Sequence, residues 1–244
     1  MSADDSYLSI VIPAYNAERY LEETVRRLEA FMSLKQWNGE LLVVSDGSTD
    51  KTDALAARLA GERPGGRLRF LASPVNRGKG CSVRKGVLEA RGQIVLVTDV
   101  GLSAPIKEAD KLIAALESGC DIAIGSLALR KEGCDVQQGW KRRLAGRVFN
   151  FLVRLFVLRD FRDTQCGFKC FKREAAQELF RLQKLDGFAF DVEVLYLAKK
   201  KGFKVKEVPV MWREARESRV KLLKDSLAMI RELFLIRRHH PDRQ

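Results

Sequence analysis

An α/β domain with a mostly parallel sheet and helices on both faces is predicted for this 244-residue chain by three observations. Short apolar runs at Leu8–Pro13, Glu40–Ser45, Ile94–Val97 and Asp121–Gly125 alternate with stretches of helical period, the pattern of βαβ units. The runs are apolar almost without interruption, as in strands covered on both faces. Two of them end in an acid, at Asp46 and at Asp99, and ligands of open parallel sheets gather beyond the carboxyl ends of strands.

Composition bounds the rest. With 46% hydrophobic and 31% charged residues, the length suits one large domain better than two small ones. Forty-four Lys and Arg against 32 Asp and Glu leave +12, which favours a nucleic acid, a membrane surface or a phosphorylated substrate as partner. Nucleic acid is set aside, because the basic residues sit on apolar helices without interleaved aromatic groups. The five cysteines, Cys81, Cys120, Cys134, Cys166 and Cys170, are odd in number and scattered, so reduced thiols rather than disulfides or a zinc site are expected. No signal peptide and no apolar run of about 18 residues is present, so a cytoplasmic, non-spanning protein is expected.

The first strand, Leu8–Pro13, is expected to close at Pro13, which cannot donate to a ladder. A helix follows with Asn16 as its N-cap, Glu18 in the first turn and Leu21, Val25, Leu28 and Met32 on one face. Asn38-Gly39 turns the chain into the second strand, which ends in Asp46-Gly47-Ser48-Thr49-Asp50. Ser48 or Thr49 is placed to cap the helix through Leu55 and Leu59. After a short strand at Leu68–Leu71, Asn76-Arg77-Gly78-Lys79-Gly80 leads into a helix over Ser82–Ala90. Backbone N–H groups at a helix start, with Lys79, form an anion site or a plain turn with a solvated lysine; the spacing is not that of a Walker loop. Thr98-Asp99 ends the central strand, where Asp99 reads equally as a ligand for substrate or metal and as a turn former. Helix over Ile106–Leu116 and strand over Asp121–Gly125 complete this half.

Beyond it the character changes. Trp140–Leu158 has helical period and is apolar around most of its circumference, with Arg143, Arg147, Asn150 and Arg154 in one narrow stripe. It reads as a partly membrane-facing helix whose basic stripe meets phosphates, or as a packed helix with snorkelling arginines. A short strand to Phe171, a helix through Ala175 and Leu179, a helix opening at Asp191-Val192-Glu193 and a strand at Lys204–Pro209 follow. Val220–Arg238 is a basic amphipathic helix. Leu223, Leu227, Ile230 and Phe234 form one face, widened by Leu222, Met229, Leu233 and Ile236; an interfacial and a packed reading are both open.

Taken together, Ile12-Pro13-Ala14-Tyr15-Asn16, Asp46-Gly47-Ser48-Thr49-Asp50, Asn76-Arg77-Gly78-Lys79-Gly80 and Thr98-Asp99 resemble, in order and spacing, the family 2 glycosyltransferases of GT-A fold. Asp163-Thr164-Gln165-Cys166-Gly167-Phe168-Lys169, Gly187-Phe188-Ala189-Phe190-Asp191-Val192-Glu193 and Glu207-Val208-Pro209-Val210-Met211-Trp212 are similar to the dolichyl-phosphate glucosyltransferase and polyprenyl-phosphate mannosyltransferase branch. The likeness runs from about Leu8 to Arg238. It implies a single domain over 1–244, with a nucleotide-sugar half over about 8–125, an acceptor half over about 126–219 and an amphipathic tail over about 220–240.

The implied activity is inverting transfer of a hexose, glucose in the first instance, from a UDP or GDP conjugate to a polyprenyl or dolichyl phosphate. The implied place is the cytoplasmic face of a membrane, with the protein peripheral to it. Pro13, Tyr15, Asn16, Asp46, Gly47, Ser48, Lys79, Thr98 and Asp99 are then the nucleotide-sugar residues, and Arg143, Arg147, Arg154 and Arg219 receive the acceptor phosphate. Asp99 and Asp191 are the catalytic candidates. A phosphomonoester is already an oxyanion at neutral pH, so Asp191 is expected to orient the donor sugar rather than act as a base. The family's Asp-x-Asp reads Asp99-Val100-Gly101 here, which leaves Asp99 as the metal ligand from this motif, for Mg²⁺ or Mn²⁺, and predicts weak metal dependence. Arg is also missing after Gly125-Ser126, where Leu127 stands. A non-catalytic nucleotide-sugar-binding relative is the alternative these two departures raise.

Overall fold

A computed structural model of the chain describes residues 6–129, 149, 151–155, 157–212 and 222–241. Among these residues seven strands form one sheet: β1 (Leu8–Ala14), β2 (Gly39–Asp46), β3 (Leu68–Ser73), β4 (Ile94–Val97), β5 (Ile122–Ser126), β6 (Lys169–Lys172) and β7 (Val205–Pro209). Their order is β3-β2-β1-β4-β6-β5-β7. All pairings are parallel except those of β6, which runs antiparallel to β4 and β5 and sits between them. A strand from the later part of the chain is thus inserted among the strands of the earlier part. From β1 the chain winds outward to β2 and β3, then returns to β4 on the other side, so the topological switch point lies between β1 and β4.

The helices are α1 (Leu21–Leu34), α2 (Thr52–Gly61), α3 (Lys79–Glu89), α4 (Ala109–Glu117), α5 (Arg173–Leu182), α6 (Phe190–Lys200) and α7 (Leu222–His239), with a further helical segment over 151–155. Strand residues alternate between two cores. Ile10, Ile12, Leu41, Val43 and Leu96 meet α1, α2 and α4 on one face; Val11, Leu42, Val44, Val95 and Val97 meet α3, α5, α6 and α7 on the other. This two-sided burial is why the strands read as unbroken apolar runs. Fully burying each Leu, Ile or Val contributes about 1.5–3 kcal/mol, which holds the strand ends in place for a site.

Several boundaries differ from expectation. Pro13 lies inside β1, paired opposite Val44; β4 pairing has already stopped at Val11–Val97, so on that side no ladder partner awaits a Pro13 N–H. α1 starts at Leu21 after Tyr20, and Asn16 is not its cap, because at φ 47° the Asn16 backbone is left-handed and its side chain reaches across to the next loop. Glu18 likewise accepts from the Lys51 backbone N–H at 2.9 Å, and Glu22 and Glu23 supply the acids of the first turn. α2 is preceded by Lys51 rather than capped by Ser48 or Thr49, whose groups bind Asn16 instead. The Ile106–Leu116 helix divides into a 3₁₀ turn over Ile106–Glu108 and α4.

Trp140–Leu158 falls largely outside the described residues, as do Arg143, Arg147, Asn150 and Arg219. In the part that is described, Val153 is buried while Phe151, Arg154 and Leu155 are exposed. The tail helix α7 packs through Leu233 and Ile236, with Met229 and Ile230 half-buried, and leaves Phe234 59% exposed. Packing therefore uses the flank of the predicted stripe, while Phe234 at its centre stays largely exposed. Among the described residues no helix is long and apolar enough to cross a membrane.

Candidate active site

The loops after β1, β2 and β3 are knitted together by side chains that the sequence offers as ligands. The Asn16 side-chain oxygen accepts from the backbone N–H groups of Thr49 at 2.7 Å and Asp50 at 3.3 Å, while the Asn16 N–H donates to Ser48 Oγ at 3.0 Å. Asp46 is buried, and its two oxygens accept from the Arg77 N–H at 2.9 Å and the Gly78 N–H at 2.8 Å. Its first task is to hold the glycine-rich turn against the end of β2, so any nucleotide contact it makes is additional. Gly47 follows from the same close approach: with φ +66°, a Cβ there would sit 2.5 Å from the Asn76 nitrogen.

The Asn76–Gly80 turn is also fitted to a segment that the sequence did not connect with it. A Cβ on Gly78 would lie 2.4 Å from the Asp186 carbonyl oxygen, and one on Gly80 2.7 Å from that of Leu185. Arg77 and Arg84 pair with the Asp186 carboxylate at 3.0 and 2.7 Å, and Gln183 donates to the Gly80 carbonyl at 3.0 Å. These contacts press the turn onto the segment that leads to Asp191. Lys79 opens α3, is half-buried and has no hydrogen-bond or ion-pair partner among the described residues. Its Nζ lies 2.9 Å from where a Cβ on Gly167 would stand, which a side chain at 167 would obstruct.

Asp191 stands in the first turn of α6, buried, and accepts from Lys169 Nζ at 2.6 Å. Lys169 is itself 3% exposed and also donates to the Cys166 carbonyl. Burial pushes the Asp191 carboxyl above its ordinary range, against the pull of Lys169 and Lys79 toward ionisation. The helix is preceded by Ala189, so Asp191 is not its cap. Lys169 closes the Asp163–Lys169 motif, but the sequence assigns it no role; only the β4–β6 register puts it opposite Val97, beside the end of the central strand.

Asp99 is half-buried and forms a tight turn: the Ser103 N–H donates to Oδ1 at 3.0 Å, and the Ser103 hydroxyl donates to Oδ2. The turn-forming reading holds, since Asp99 builds the loop, and the same residue stands at the switch point between β1 and β4. At the same end of the sheet lie buried polar atoms with no hydrogen-bond partner among the described residues: Thr98 Oγ1, Ser126 Oγ and Gln165 Nε2, at the ends of β4 and β5 and just before β6, three adjacent strands. Groups of this kind cost about 1–3 kcal/mol unless a ligand or water meets them. No group of three or more His, Cys, Asp or Glu side chains suited to a metal occurs among the described residues. A single carboxylate with diphosphate oxygens and waters is a common set for Mg²⁺, so Asp99 fits that mode.

The remaining assignments separate. Pro13, Tyr15, Asn16, Asp46, Gly47, Ser48, Thr98 and Asp99 line the carboxyl ends of β1, β2 and β4, and Lys79, Lys169 and Asp191 close the β6 side. Arg154 is elsewhere, in a cavity beside Lys199 and Arg237 at the far end of α6. Eight helical steps, about 12 Å, separate Lys199 from Asp191, so Arg154 does not join the Asp191 cluster. Asp163 and Glu207, which sequence reading did not single out for any role, shape the loop ahead of β6: Asp163 accepts from the Leu127 N–H at 2.9 Å, and Glu207 accepts from those of Arg162 and Asp163. Glu232 of α7 accepts from the Ala189 N–H at 3.3 Å, which ties the tail to the start of α6. Cys81, Cys120, Cys166 and Cys170 are free thiols, and burial pushes Cys166 up to about 12.

Comparison with known proteins bears on the family and the fold. Residues 9–180 match the sequence model of glycosyl transferase family 2. The chain is 38% identical to dolichyl-phosphate beta-glucosyltransferase of Drosophila melanogaster over 240 residues, which is 94% of this chain and 74% of that protein. It is 34% identical to the Saccharomyces cerevisiae protein of the same name, covering 96% and 75%, and 32% identical to the Homo sapiens one, covering 94% and 74%. Among solved structures, glucosyl-3-phosphoglycerate synthase of Mycobacterium tuberculosis superposes with a TM-score of 0.71 at 19% identity over 95% of this chain and 80% of that one. The same synthase has been solved with Mn²⁺, UDP-glucose and phosphoglyceric acid, with a TM-score of 0.69 at 20% identity over 95% and 78%. These likenesses concern the fold, which is GT-A. With a parallel sheet whose switch point carries Asp99 and a family match over most of its length, the chain belongs to glycosyl transferase family 2.

Proposed function

We propose that the protein transfers glucose from UDP-glucose to a dolichyl or other polyprenyl phosphate, with inversion, at the cytoplasmic surface of a membrane. The observation that carries this reading is the convergence of Asp99, Lys79 and the Lys169–Asp191 pair at one end of the sheet, in a chain whose relatives are named for that reaction. The nucleotide half of the donor would rest on the loops of Asn16, Asp46 and Ser48. Asp191, held by Lys169, would accept hydrogen bonds from hydroxyls of the donor sugar and so fix the face of the ring that the acceptor attacks.

The acceptor phosphate is already an oxyanion and needs no base. Its oxygen forms a bond to the anomeric carbon as the bond from that carbon to the diphosphate breaks, and UDP leaves with the electron pair. Lys79, without an ion-pair partner of its own among the described residues, is placed to offset charge on the leaving group. Asp99 would hold Mg²⁺ or Mn²⁺, with Ser103 orienting the carboxylate. A divalent ion bound there supplies further neutralisation of the diphosphate.

The test is turnover of radiolabelled UDP-glucose into product extractable with organic solvent in the presence of dolichyl phosphate, beside GDP-mannose as rival donor. Labelled lipid from UDP-glucose is expected. Product from GDP-mannose alone would correct the donor, and binding of UDP-glucose without product from either donor would favour a non-catalytic relative.

A further inference from the structure

The far end of α6 carries a second concentration of charge. A cavity of about 280 Å³ opens there between the 151–155 segment, the turn that follows it, α6 and α7, and its walls include Arg154, Leu155, Arg159, Asp160, Lys199 and Arg237. Asp160 pairs with Lys199, and an adjoining cavity shares Lys199 and Arg237 and adds Lys200. Arg154, Arg159 and Arg237 have no carboxylate partner among the described residues. Three guanidinium groups facing one space repel each other unless an anion joins them, and each can present two parallel N–H donors to phosphate oxygens.

Leu155 brings an apolar side chain to the wall of this cavity, and Phe151 stands on the same helical segment. Phe151 and Leu155 are 64% and 50% exposed, and they lie four residues apart on one helical face that also carries exposed Arg154. Apolar side chains beside unpaired arginines suit a molecule with a phosphate head and a hydrocarbon body. We infer that the cavity takes the phosphodiester headgroup of an anionic phospholipid and seats the protein on a bilayer, with Phe151 and Leu155 entering the interface. The inference deepens the membrane-surface part of the reading above. A phosphate held here is separated from Asp191 by about 12 Å of helix, so it is not the reacting phosphate.

The full chain would be sedimented with vesicles of phosphatidylcholine alone and of phosphatidylcholine with phosphatidylglycerol. The unaltered protein is expected to prefer the anionic vesicles, and the double variant Arg159→Gln/Arg237→Gln to bind them about 30-fold more weakly, with its melting temperature and UDP affinity retained. Equal binding by variant and parent would overturn the site, as would displacement of the parent by millimolar inorganic phosphate at constant ionic strength, which would mark a free-phosphate site. Loss of transfer to dolichyl phosphate in detergent with vesicle binding intact would also overturn it, by making the cavity an acceptor subsite. If the double variant does not fold, Arg159→Gln alone carries the same comparison at about 5-fold. The vesicle measurements do not require turnover, so charge-dependent vesicle binding with no glucosyl transfer would leave this inference standing while the transferase reading fails.

Discussion

At the scale of single residues, Gly101 is where this chain and its family part. It is exposed and its φ is not in the left-handed region, so the backbone accepts a side chain there. Gly101→Asp is expected to tighten Mn²⁺ binding in the presence of UDP, measured by calorimetry, because a second hard oxygen donor joins Asp99. No gain would mean that the turn made by Asp99 and Ser103 directs position 101 away from the diphosphate. Lys169 offers a second test at this scale. Asp191 in the folded protein holds its proton more tightly than in the unfolded chain, so its contribution to stability falls as pH rises through the folded value. Lys169→Met removes the counter-charge and raises that value further. Breaking a buried pair costs about 3–5 kcal/mol, and urea unfolding at a higher and a lower pH should show the smaller loss at the lower one, because protonation of the carboxyl removes the unpaired charge. An equal loss at both pH values would assign the effect to packing.

Among the elements, α7 shows how one helix serves two surroundings. Leu233 and Ile236 are buried in the core beneath α6, while Phe234, between them in sequence, is 59% exposed. Leu233→Ala should therefore cost about 2–5 kcal/mol in denaturant unfolding. Phe234→Glu should leave the melting temperature within about 2 °C and reduce sedimentation with anionic vesicles. The reverse pattern, a lowered melting temperature with vesicle binding intact, would make Phe234 part of the packed face. Glu232 on the same helix reaches the Ala189 N–H, so α7 is joined to the element that carries Asp191.

Across the whole molecule, the site is shared by loops distant in sequence: those after β1, β2 and β4, the turn ahead of α3, the approach to β6 and the start of α6. A ligand that bridges them binds the folded state alone, so UDP at 100 times its dissociation constant should stabilise the protein by about 2.7 kcal/mol. Asp46→Asn should reduce that gain, since the Arg77 and Gly78 N–H groups then lose one carboxylate oxygen as acceptor. Differential scanning fluorimetry with and without UDP checks both. A UDP-induced shift unchanged in Asp46→Asn would place the nucleotide away from the Asp46 loop.

The sequence alone determined the class of fold, the strands and the acids at their ends, because burial on both faces of a parallel sheet imposes unbroken apolar runs and the polar residues that interrupt them mark the loops. It also carried the motifs of the family. What it did not carry were relations between residues far apart along the chain. That β6 runs antiparallel between β4 and β5, that Lys169 therefore neutralises Asp191, that Asp46 holds the Gly78 turn and that Arg154 joins Arg237 rather than the transfer site all depend on which strands and helices become neighbours. Those choices are made by long-range packing of apolar surface, which is non-directional and leaves no local period to read.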